Sequence, residues 1–368
     1  LLLFLASSFV QLKRSCDFLF KKKDWRVTDP AQFLPSVSII VPVYNEELAI
    51  GKKVENFIGL DYPKEKIELI FSSDGSNDRT VEIAGALNLD NVKVLDLPRK
   101  GKANALNNAI RSASGEVVVF SDACALLDAG ALKKLTRHFS DPRMGCAIGE
   151  IYMETEGGKA IEDIYGRYEI ILKYMENKIG AAFNASGAIY AIRKEAFKEL
   201  PLWIINDDFI IPLLIKGRGY KVVYDSEAVA FEKPPKTEES EFKRRIRIGI
   251  GGFQGLKVTG HLLNPAKGPV ALAYWSHKVL RWLSPMFLIL SFLLNIYLLP
   301  YLFYRLIFLA QIGFYELAFM GFAAQPVIRG RMIYRVPYYF VYMNTALFFG
   351  FLKFVSGAKM STWEKTSR

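Results

Sequence analysis

The chain has little cysteine and little histidine, with three of each in 368 residues. The cysteines lack the paired spacing of a metal site, and we expect reduced thiols in a cytosolic compartment. Zinc chemistry and a histidine-centred catalytic triad are therefore not expected. The sequence also lacks low-complexity tracts and repeats of fixed period. The six residues are Cys16, Cys124, Cys146, His138, His261 and His277.

Charged residues are missing between Arg281 and Arg305. This stretch exceeds the roughly 20 apolar residues that a helix needs to cross a bilayer, whereas a soluble helix usually has about 11 or 12 residues. We expect it to span a membrane, with a buried soluble helix as the alternative. A second apolar stretch, 306–324, contains one glutamate and is also expected to span. A third, 336–352, is uncharged but short, and it could span, tilt or re-enter.

Residues 1–12 are apolar and are followed by basic residues. We expect a partial membrane helix over 1–15, with a trimmed signal sequence or a surface helix as alternatives, and a basic linker over 16–35. Because Lys and Arg concentrate on the cytoplasmic side of membrane segments, the domain that follows should face the cytosol from the cell (inner) membrane. The net charge of +11 suits an anionic lipid bilayer. No nucleic-acid motif accompanies the charge, so nucleic acid is not an expected partner.

From Val37 to about Lys233 the sequence alternates short apolar runs with helix-like segments. This alternation predicts an α/β domain over 36–233 with a Rossmann-like, mostly parallel sheet. Ligands of such sheets bind at the carboxyl ends of the strands. The predicted strands begin at Val37 and continue with 68–72, 92–95 and 116–120, and the predicted helices are 79–86, 102–112 and 129–138.

The first apolar run ends in Pro42-Val43-Tyr44-Asn45-Glu46, and four polar loops follow later runs or precede a helix. In the second loop, cations and backbone amides over 99–102 start a helix and suit a phosphate. Each loop has a simpler interpretation: a capped turn, a solvated basic turn, or an ordinary helix N-cap. Four such loops in one order favour a catalytic site. The loops contain Ser73-Asp74-Gly75-Ser76, Lys102-Ala103-Asn104-Ala105-Leu106-Asn107, Ser121-Asp122-Ala123 and Asn206-Asp207-Asp208.

Together these motifs resemble those of membrane-bound family 2 glycosyltransferases with a GT-A fold, the group of cellulose, chitin, hyaluronan and poly-N-acetylglucosamine synthases. The resemblance runs from about Val37 to the end of the chain. It implies an inverting, metal-dependent hexosyltransferase that uses a UDP-sugar, a divalent cation (Mg²⁺ or Mn²⁺), and a polysaccharide or lipid-linked acceptor.

The resemblance also implies roles for single residues on the donor side. Tyr44 and Glu46 would surround the base and ribose, Asp74 would bind uracil, and Asp122 would hold the metal. Cys124 stands where the second acid of the family's Asp-X-Asp motif is usual, and a soft thiol ligand leaves the identity of the metal open. The full expected donor set is Pro42, Tyr44, Glu46, Asp74, Lys102, Asp122 and Arg247.

On the acceptor side, Asp208 matches the family's general base, and Asp207 stands where Glu is usual. The segment 184–190 resembles the loop that contacts the acceptor, although a tight turn is an equal alternative. Segment 244–248 aligns with the family's Gln-X-X-Arg-Trp motif, in which Gln and Trp are replaced here. The expected catalytic residues are Asp208 and Asp207, and the expected acceptor residues are Ser186, Gly187 and Arg244.

After Lys233 the character of the sequence changes. Apolar residues at helical spacing alternate with a basic cluster over 242–253, which indicates an amphipathic helix on a membrane surface or, alternatively, a helix packed on the catalytic domain. We expect interface helices over 234–281, membrane helices over 282–356 and a cytosolic tail over 357–368. His277 is expected at the interface and not in catalysis.

The expected function is sugar transfer to a membrane-associated acceptor in polysaccharide or oligosaccharide synthesis. One alternative is a single transfer to a lipid or lipid-linked acceptor, which the altered 244–248 segment favours. Another is a catalytically inactive, nucleotide-sugar-binding membrane subunit, which Cys124 and Ile248 at diagnostic positions leave open.

Overall fold

The computed structural model describes residues 33–357, except 88, 156–157, 160–163, 234–237 and 324–330. The expected N-terminal membrane helix lies outside the described residues, as do most of the basic linker and of the cytosolic tail. The strands are β1 (Val37–Val43), β2 (Ile67–Asp74), β3 (Val92–Leu97), β4 (Val117–Phe120), β5 (Leu126–Leu127), β6 (Met144–Thr155), β7 (Gly158–Lys159), β8 (Tyr190–Arg193) and β9 (Lys221–Glu232).

The helices fall into a catalytic-domain group and a C-terminal group. The first group is α1 (Glu47–Ile58), α2 (Thr80–Gly85), α3 (Lys102–Ser112), α4 (Ala131–Thr136), α5 (Ile164–Lys178) and α6 (Asp207–Gly217). The second is α7 (Glu238–Thr259), α8 (Pro269–Tyr297), α9 (Leu302–Ala323) and α10 (Met332–Val355). Short 3₁₀ turns lie at Lys64–Lys66, Arg137–Ser140, Lys194–Ala196, Gly260–Leu263 and Pro265–Lys267.

The strands form one mixed sheet in the order β3-β2-β1-β4-β8-β6-β9-β5, with β7 paired to β6. Strands β1 to β4 are parallel to one another, β8 runs antiparallel to both β4 and β6, and β6 and β9 are parallel. The α/β prediction is confirmed. The parallel half was predicted, and the antiparallel insertion of β8 was not.

Strand β1 is buried along its whole length, as expected for a continuous β-branched run between two helical layers. Proline inside such a strand removes a ladder hydrogen bond. Pro42 is tolerated because the pairing of β1 with β4 ends at Ile40 opposite Phe120. Beyond that point β1 no longer needs an N–H on that side.

Apolar residues pack against both faces of the sheet in two clusters. One contains α3, α6 and residues of α7, α8 and α10, and the other contains α1, α4 and the opposite faces of β1 and β2. The first cluster continues from the catalytic domain into the C-terminal helices. The catalytic sheet and those helices therefore share a core.

Two described helices, Pro269–Tyr297 and Leu302–Ala323, are long and apolar enough to cross a membrane by length and composition. The first contains a π-helical turn at Tyr274–Val279. The expected boundary between interface and membrane helices at residue 281 falls inside this helix, and the domain limits remain a prediction. The third apolar stretch forms the 24-residue helix α10.

Helix α7 packs on the catalytic domain and on α10, which is the second of the two arrangements proposed for the amphipathic segment. Phe253 contacts the rings of Phe351 and Phe354 at centroid distances of 5.2 and 5.6 Å. Where α7 crosses α10, a Cβ at Gly350 would lie 2.9 Å from the carbonyl oxygen of Ile246 and 3.2 Å from the Cα of Gly249. The two backbones are therefore in direct contact.

Candidate active site

The candidate site lies at the carboxyl ends of the parallel strands, where β1, β2 and β4 deliver the loops that start at Tyr44, Gly75 and Ser121. In the first of these loops Asn45 has a φ of 55°. Its backbone N–H donates to Ser76 Oγ at 3.1 Å, and its side chain accepts from Asn77 N–H at 2.9 Å. Helices α1 and α2 share one cap, because Asp78 accepts from the N–H groups of Glu47 and Thr80.

The predicted base-binding residue Asp74 ends β2 and is fully buried. Its Oδ1 accepts the backbone N–H groups of Lys100 and Gly101, both at 2.8 Å. Two amides that the sequence offered to a phosphate are thus bonded to a carboxylate. Asp74 Oδ2 is buried without a hydrogen-bond partner among the described residues. Burial raises the pKa of Asp74 above its ordinary value, and the two amides act in the opposite sense.

Tyr44 lies beside this loop and faces Arg99. The Arg99 guanidinium carbon is 3.4 Å from the centre of the Tyr44 ring, which is a close cation–π stack. The neighbouring Glu46 approaches Cys124, whose Sγ is 3.6 Å from Glu46 Oε2. Pro42, in contrast, is buried inside β1, and its contribution to nucleotide binding remains a prediction.

Lys102 joins two of the predicted acidic loops. Its Nζ is 3.3 Å from Asp122 Oδ1 and 3.2 Å from Asp207 Oδ1. Lys102 begins α3 and Asp207 begins α6, so two helix N-termini and the end of β4 meet at this ammonium. Burial alone would lower the pKa of Lys102, but the surrounding aspartates raise it above its ordinary value.

Asp207 is buried and Asp208 is half-buried. Burial raises the pKa of Asp207 to about 6, and the charges of Asp208 and Asp122 act in the same direction. Lys102 opposes this shift. The environments of the two adjacent carboxyl groups therefore differ, which is how acidic residues in one site come to have separate roles.

The small-residue loop 184–190 connects the metal-binding and base candidates. The backbone N–H of Gly187 donates to Asp208 Oδ2 at 3.2 Å. A Cβ on Gly187 would lie 3.0 Å from Asp122 Oδ2, so a larger residue would force the Asp122 carboxylate to shift. Among the described residues, nothing bonds the other carboxylate oxygen of Asp208, whereas Ser186 lies half-exposed one residue before the contact.

Helix α7 brings Arg247 near the aspartates, with Arg244 one turn earlier. Burial and the charge of Arg244 lower the pKa of Arg247, and the aspartates Asp122, Asp207 and Asp208 act in the opposite sense. Arg244 itself pairs with Glu241 at 3.3 Å. Asn206 links α7 to the loop that carries Asp207 and Asp208, because its Nδ2 donates to the Ile248 carbonyl at 2.9 Å.

The acidic side chains of this site offer few ligands to a resident divalent cation. Across the described ranges no group of three His, Cys, Asp or Glu side chains could hold a metal ion. Asp122 supplies one hard carboxylate, and Cys124, a soft ligand, is directed toward Glu46. This donor set fits a cation that takes most of its ligands from the diphosphate of a bound nucleotide and from water.

The structure brings together Asp122, Lys102, Asp207, Asp208 and Gly187, and it places Asp74, Tyr44 and Glu46 in neighbouring loops. Sequence reasoning gave no individual role to Arg99, to Asn206 or to Lys53, whose Nζ donates to Ser121 Oγ at 2.6 Å. Arg99 and Asn206 each lie within or next to a predicted motif, which could have indicated them. Lys53 lies mid-helix on α1, where a lysine carries no such signal.

Residues 38–200 match the family described as Glycosyl transferase family 2. The poly-β-1,6-N-acetyl-D-glucosamine synthase of Staphylococcus aureus is 29% identical over 247 residues, which is 65% of this chain and 58% of the relative. The Staphylococcus epidermidis synthase of the same name is 27% identical over 252 residues, 65% of this chain and 61% of the relative. The chain thus spans less than two thirds of these curated relatives.

Among solved structures, the mannosyltransferase PcManGT from Pyrobaculum calidifontis, in complex with GDP-Man and Mn²⁺, superposes with a TM-score of 0.66. It is 24% identical, and the match covers 96% of each chain. At 24% identity the superposition shows that the two chains share a fold and nothing more. The expected family domain and the GT-A fold are confirmed.

Proposed function

We propose that this chain, whose residues 38–200 form a family 2 glycosyltransferase domain, transfers a hexose with inversion from a UDP-sugar to a membrane-associated acceptor in polysaccharide or oligosaccharide synthesis. One observation carries the proposal. Lys102 lies between Asp122 and Asp207, and Gly187 donates its N–H to Asp208 and faces the Asp122 carboxylate. Residues from widely separated parts of the sequence therefore meet at one rim of the sheet.

The nucleotide would bind across the ends of β1 and β2. The unpartnered Oδ2 of Asp74 suits an imide N–H such as that of uracil, because a buried acceptor without a donor is costly. Tyr44 and Glu46 would contact the base and ribose from the adjacent loop. Arg247 and Lys102 would hold the diphosphate, since both are cations directed toward the aspartates.

Asp122 would hold the divalent cation, which when bound neutralises charge on the departing diphosphate. The mannosyltransferase of similar fold was solved with Mn²⁺, in agreement with a divalent cation here. Mg²⁺ and Mn²⁺ both suit a carboxylate and phosphate oxygens, and the position of Cys124 favours testing both.

Asp208 would act as the general base. In an inverting displacement a carboxylate takes the proton of the acceptor hydroxyl while that oxygen attacks the anomeric carbon. Asp208 is oriented by the Gly187 N–H at 3.2 Å, which leaves its second oxygen for the acceptor. Asp207 would orient Lys102 toward the leaving group, and Ser186, Gly187 and Arg244 would line the acceptor side.

The helices Pro269–Tyr297 and Leu302–Ala323 support a membrane location, and we propose the cell (inner) membrane with the catalytic domain in the cytosol. Their outward faces carry large exposed apolar side chains, for example Phe287, Leu293 and Leu306. Since such faces suit a lipid bilayer, the acceptor would be a chain or lipid held at the membrane surface.

The test measures UDP or GDP release by the full chain in native membranes, with UDP-GlcNAc, UDP-glucose, UDP-galactose and GDP-mannose as donors. Release from a UDP-sugar that is abolished by Asp208→Asn is expected, and release from GDP-mannose alone would overturn the donor assignment. Labelled product separates the acceptors: a polymer ladder supports polysaccharide synthesis, and a single-sugar lipid supports the alternative. Nucleotide binding without any release from any donor would indicate an inactive subunit.

A further inference from the structure

Lys53 is a buried lysine that the proposed chemistry does not use. It lies on α1, seven residues after Glu46, and its side chain is 2% exposed. Within the described part of the chain no carboxylate oxygen comes within ion-pair distance of its Nζ. A buried ammonium without an ion pair is costly, and an apolar side chain of the same length would avoid that cost.

The hydrogen bonds of Lys53 all go to the loop that carries Asp122. Its Nζ donates to Ser121 Oγ at 2.6 Å and to the carbonyl oxygen of Ala125. Ser121 and Ala125 are the two ends of the segment that contains Asp122 and Cys124. A single buried group therefore holds both ends of this segment.

The hydrogen bonds of Lys53 extend through Ser121 to the small-residue loop 184–190. Ser121 accepts from Lys53 and donates its own hydrogen to the carbonyl oxygen of Ala188 at 2.9 Å. Ala188 follows Gly187, whose N–H contacts Asp208 and whose Cα faces Asp122. One directional chain, from Lys53 to Ser121 to Ala188, thus links the two loops that bear the metal and base candidates.

We propose that Lys53 is a positioning residue for metal-dependent donor binding: it fixes the Ser121–Ala125 segment and, through Ser121, the backbone beside Gly187, so that Asp122 meets the cation and the diphosphate in one place. The inference rests on the proposed function. Burial lowers the pKa of Lys53 to about 7, and the charges of Asp122 and Cys124 oppose that shift; its hydrogen bonds to Ser121 and Ala125 carry the inference.

Calorimetry on the full chain in detergent tests this, with UDP as the probe, once with MnCl₂ and once with EDTA. Partners that orient metal ligands are worth about 10- to 100-fold in affinity. We expect Lys53→Met to weaken UDP binding with Mn²⁺ by about 10-fold or more and to leave binding in EDTA within about twofold. Ser121→Ala should show the same pattern with a smaller loss. The double variant should match Lys53→Met, because both side chains belong to one chain of hydrogen bonds.

Thr136→Val is the matched control. Its hydroxyl is also fully buried and donates to the Leu132 carbonyl at 2.8 Å, away from the site. It should lower the unfolding temperature without changing the effect of Mn²⁺ on UDP binding. If Lys53→Met does not fold, UDP binding by Ser121→Ala is compared with that by Thr136→Val. Only Ser121→Ala should then weaken binding with Mn²⁺ and leave binding in EDTA unchanged.

Equal losses with and without Mn²⁺, no loss, or the same pattern in Thr136→Val would overturn the positioning role. A wild-type chain that binds UDP with no effect of Mn²⁺ would instead defeat the proposed function. Asp122→Asn separates the two cases, because it should remove the effect of Mn²⁺ in a chain whose Lys53 contacts are intact.

Discussion

Replacing Asp207 by Asn should stabilise the protein near neutral pH while lowering its activity. The pKa of Asp207 rises from an ordinary value of 3.8 to about 6, so the folded state disfavours its ionised form. Below about pH 4 the carboxyl group is protonated in both the folded and the unfolded state, so it does not lower the stability. Between about pH 4 and 6 the folded state binds the extra proton, so stability falls as pH rises, and above 6 the full cost remains.

The size of this cost follows from the shift. About two pKa units correspond to about 3 kcal/mol at most, and Asn removes the charge that causes it. Lys102 keeps Asp122 as a partner at 3.3 Å in the variant. For a domain of this size, the unfolding temperature would rise by at most about 6 to 12 °C at pH 8.

The assay is thermal unfolding of the detergent-solubilised chain, followed by tryptophan fluorescence between about pH 4 and 8. Glu199→Gln is the control for loss of a carboxylate, because Glu199 is a surface residue paired with Arg111 and such pairs contribute about 0 to 1 kcal/mol. A variant Asp207→Asn that is less stable than the wild type at pH 8, or equally shifted at every pH, would refute the reasoning.

Three further substitutions address the chemistry. Asp208→Asn should reduce kcat by about 10²- to 10⁴-fold, as for loss of a general base, with UDP affinity unchanged by calorimetry; an unchanged rate would move the base elsewhere. Cys124→Asp restores the second acid and should lower the Mg²⁺ concentration for half-maximal UDP release, whereas an unchanged requirement would show that position 124 does not meet the metal. Gly187→Ala places a Cβ 3.0 Å from Asp122 Oδ2 and should reduce UDP release by about tenfold or more, while Gly51→Ala, with open space around it, should not; equal effects of the two would contradict the close approach.

The parallel half of the fold was predictable because its strands contain short apolar runs that alternate with helix-like segments, even though Glu68 lies in β2 and Lys93 in β3. Helix α3 was predicted with its exact limits, 102–112. Strands β6 and β9 were not predicted, since charged residues interrupt their apolar pattern. Glu150 in β6 is buried with Lys173 at 3.2 Å, and Asp225 in β9 is buried with Arg137 at 2.6 Å. These partners are distant in sequence, so only the folded chain shows why burial of the charges is tolerated.

The candidate site also contains some residues that the sequence predicted and others that it did not. Asp74, Lys102 and Asp122 were recognisable because polar residues at the ends of apolar runs meet at one edge of a sheet. Lys53 was not, because its acceptors lie 68 and 72 residues away. The bonding of Asp74 to the amides of the Lys100–Gly101 turn was equally hidden, since the same amides suited a phosphate.

The crossing of α7 and α10 at Gly249 and Gly350 affects which shortened forms of the chain would keep Arg247 in place. No side chain separates the backbones there, and Arg247 lies within one helical turn of the contact. Any sliding or rotation of α10 would therefore be transmitted to Arg247 with little slack. A shortened chain that ends before α10 would for this reason lose the support of Arg247, which we propose as a diphosphate ligand.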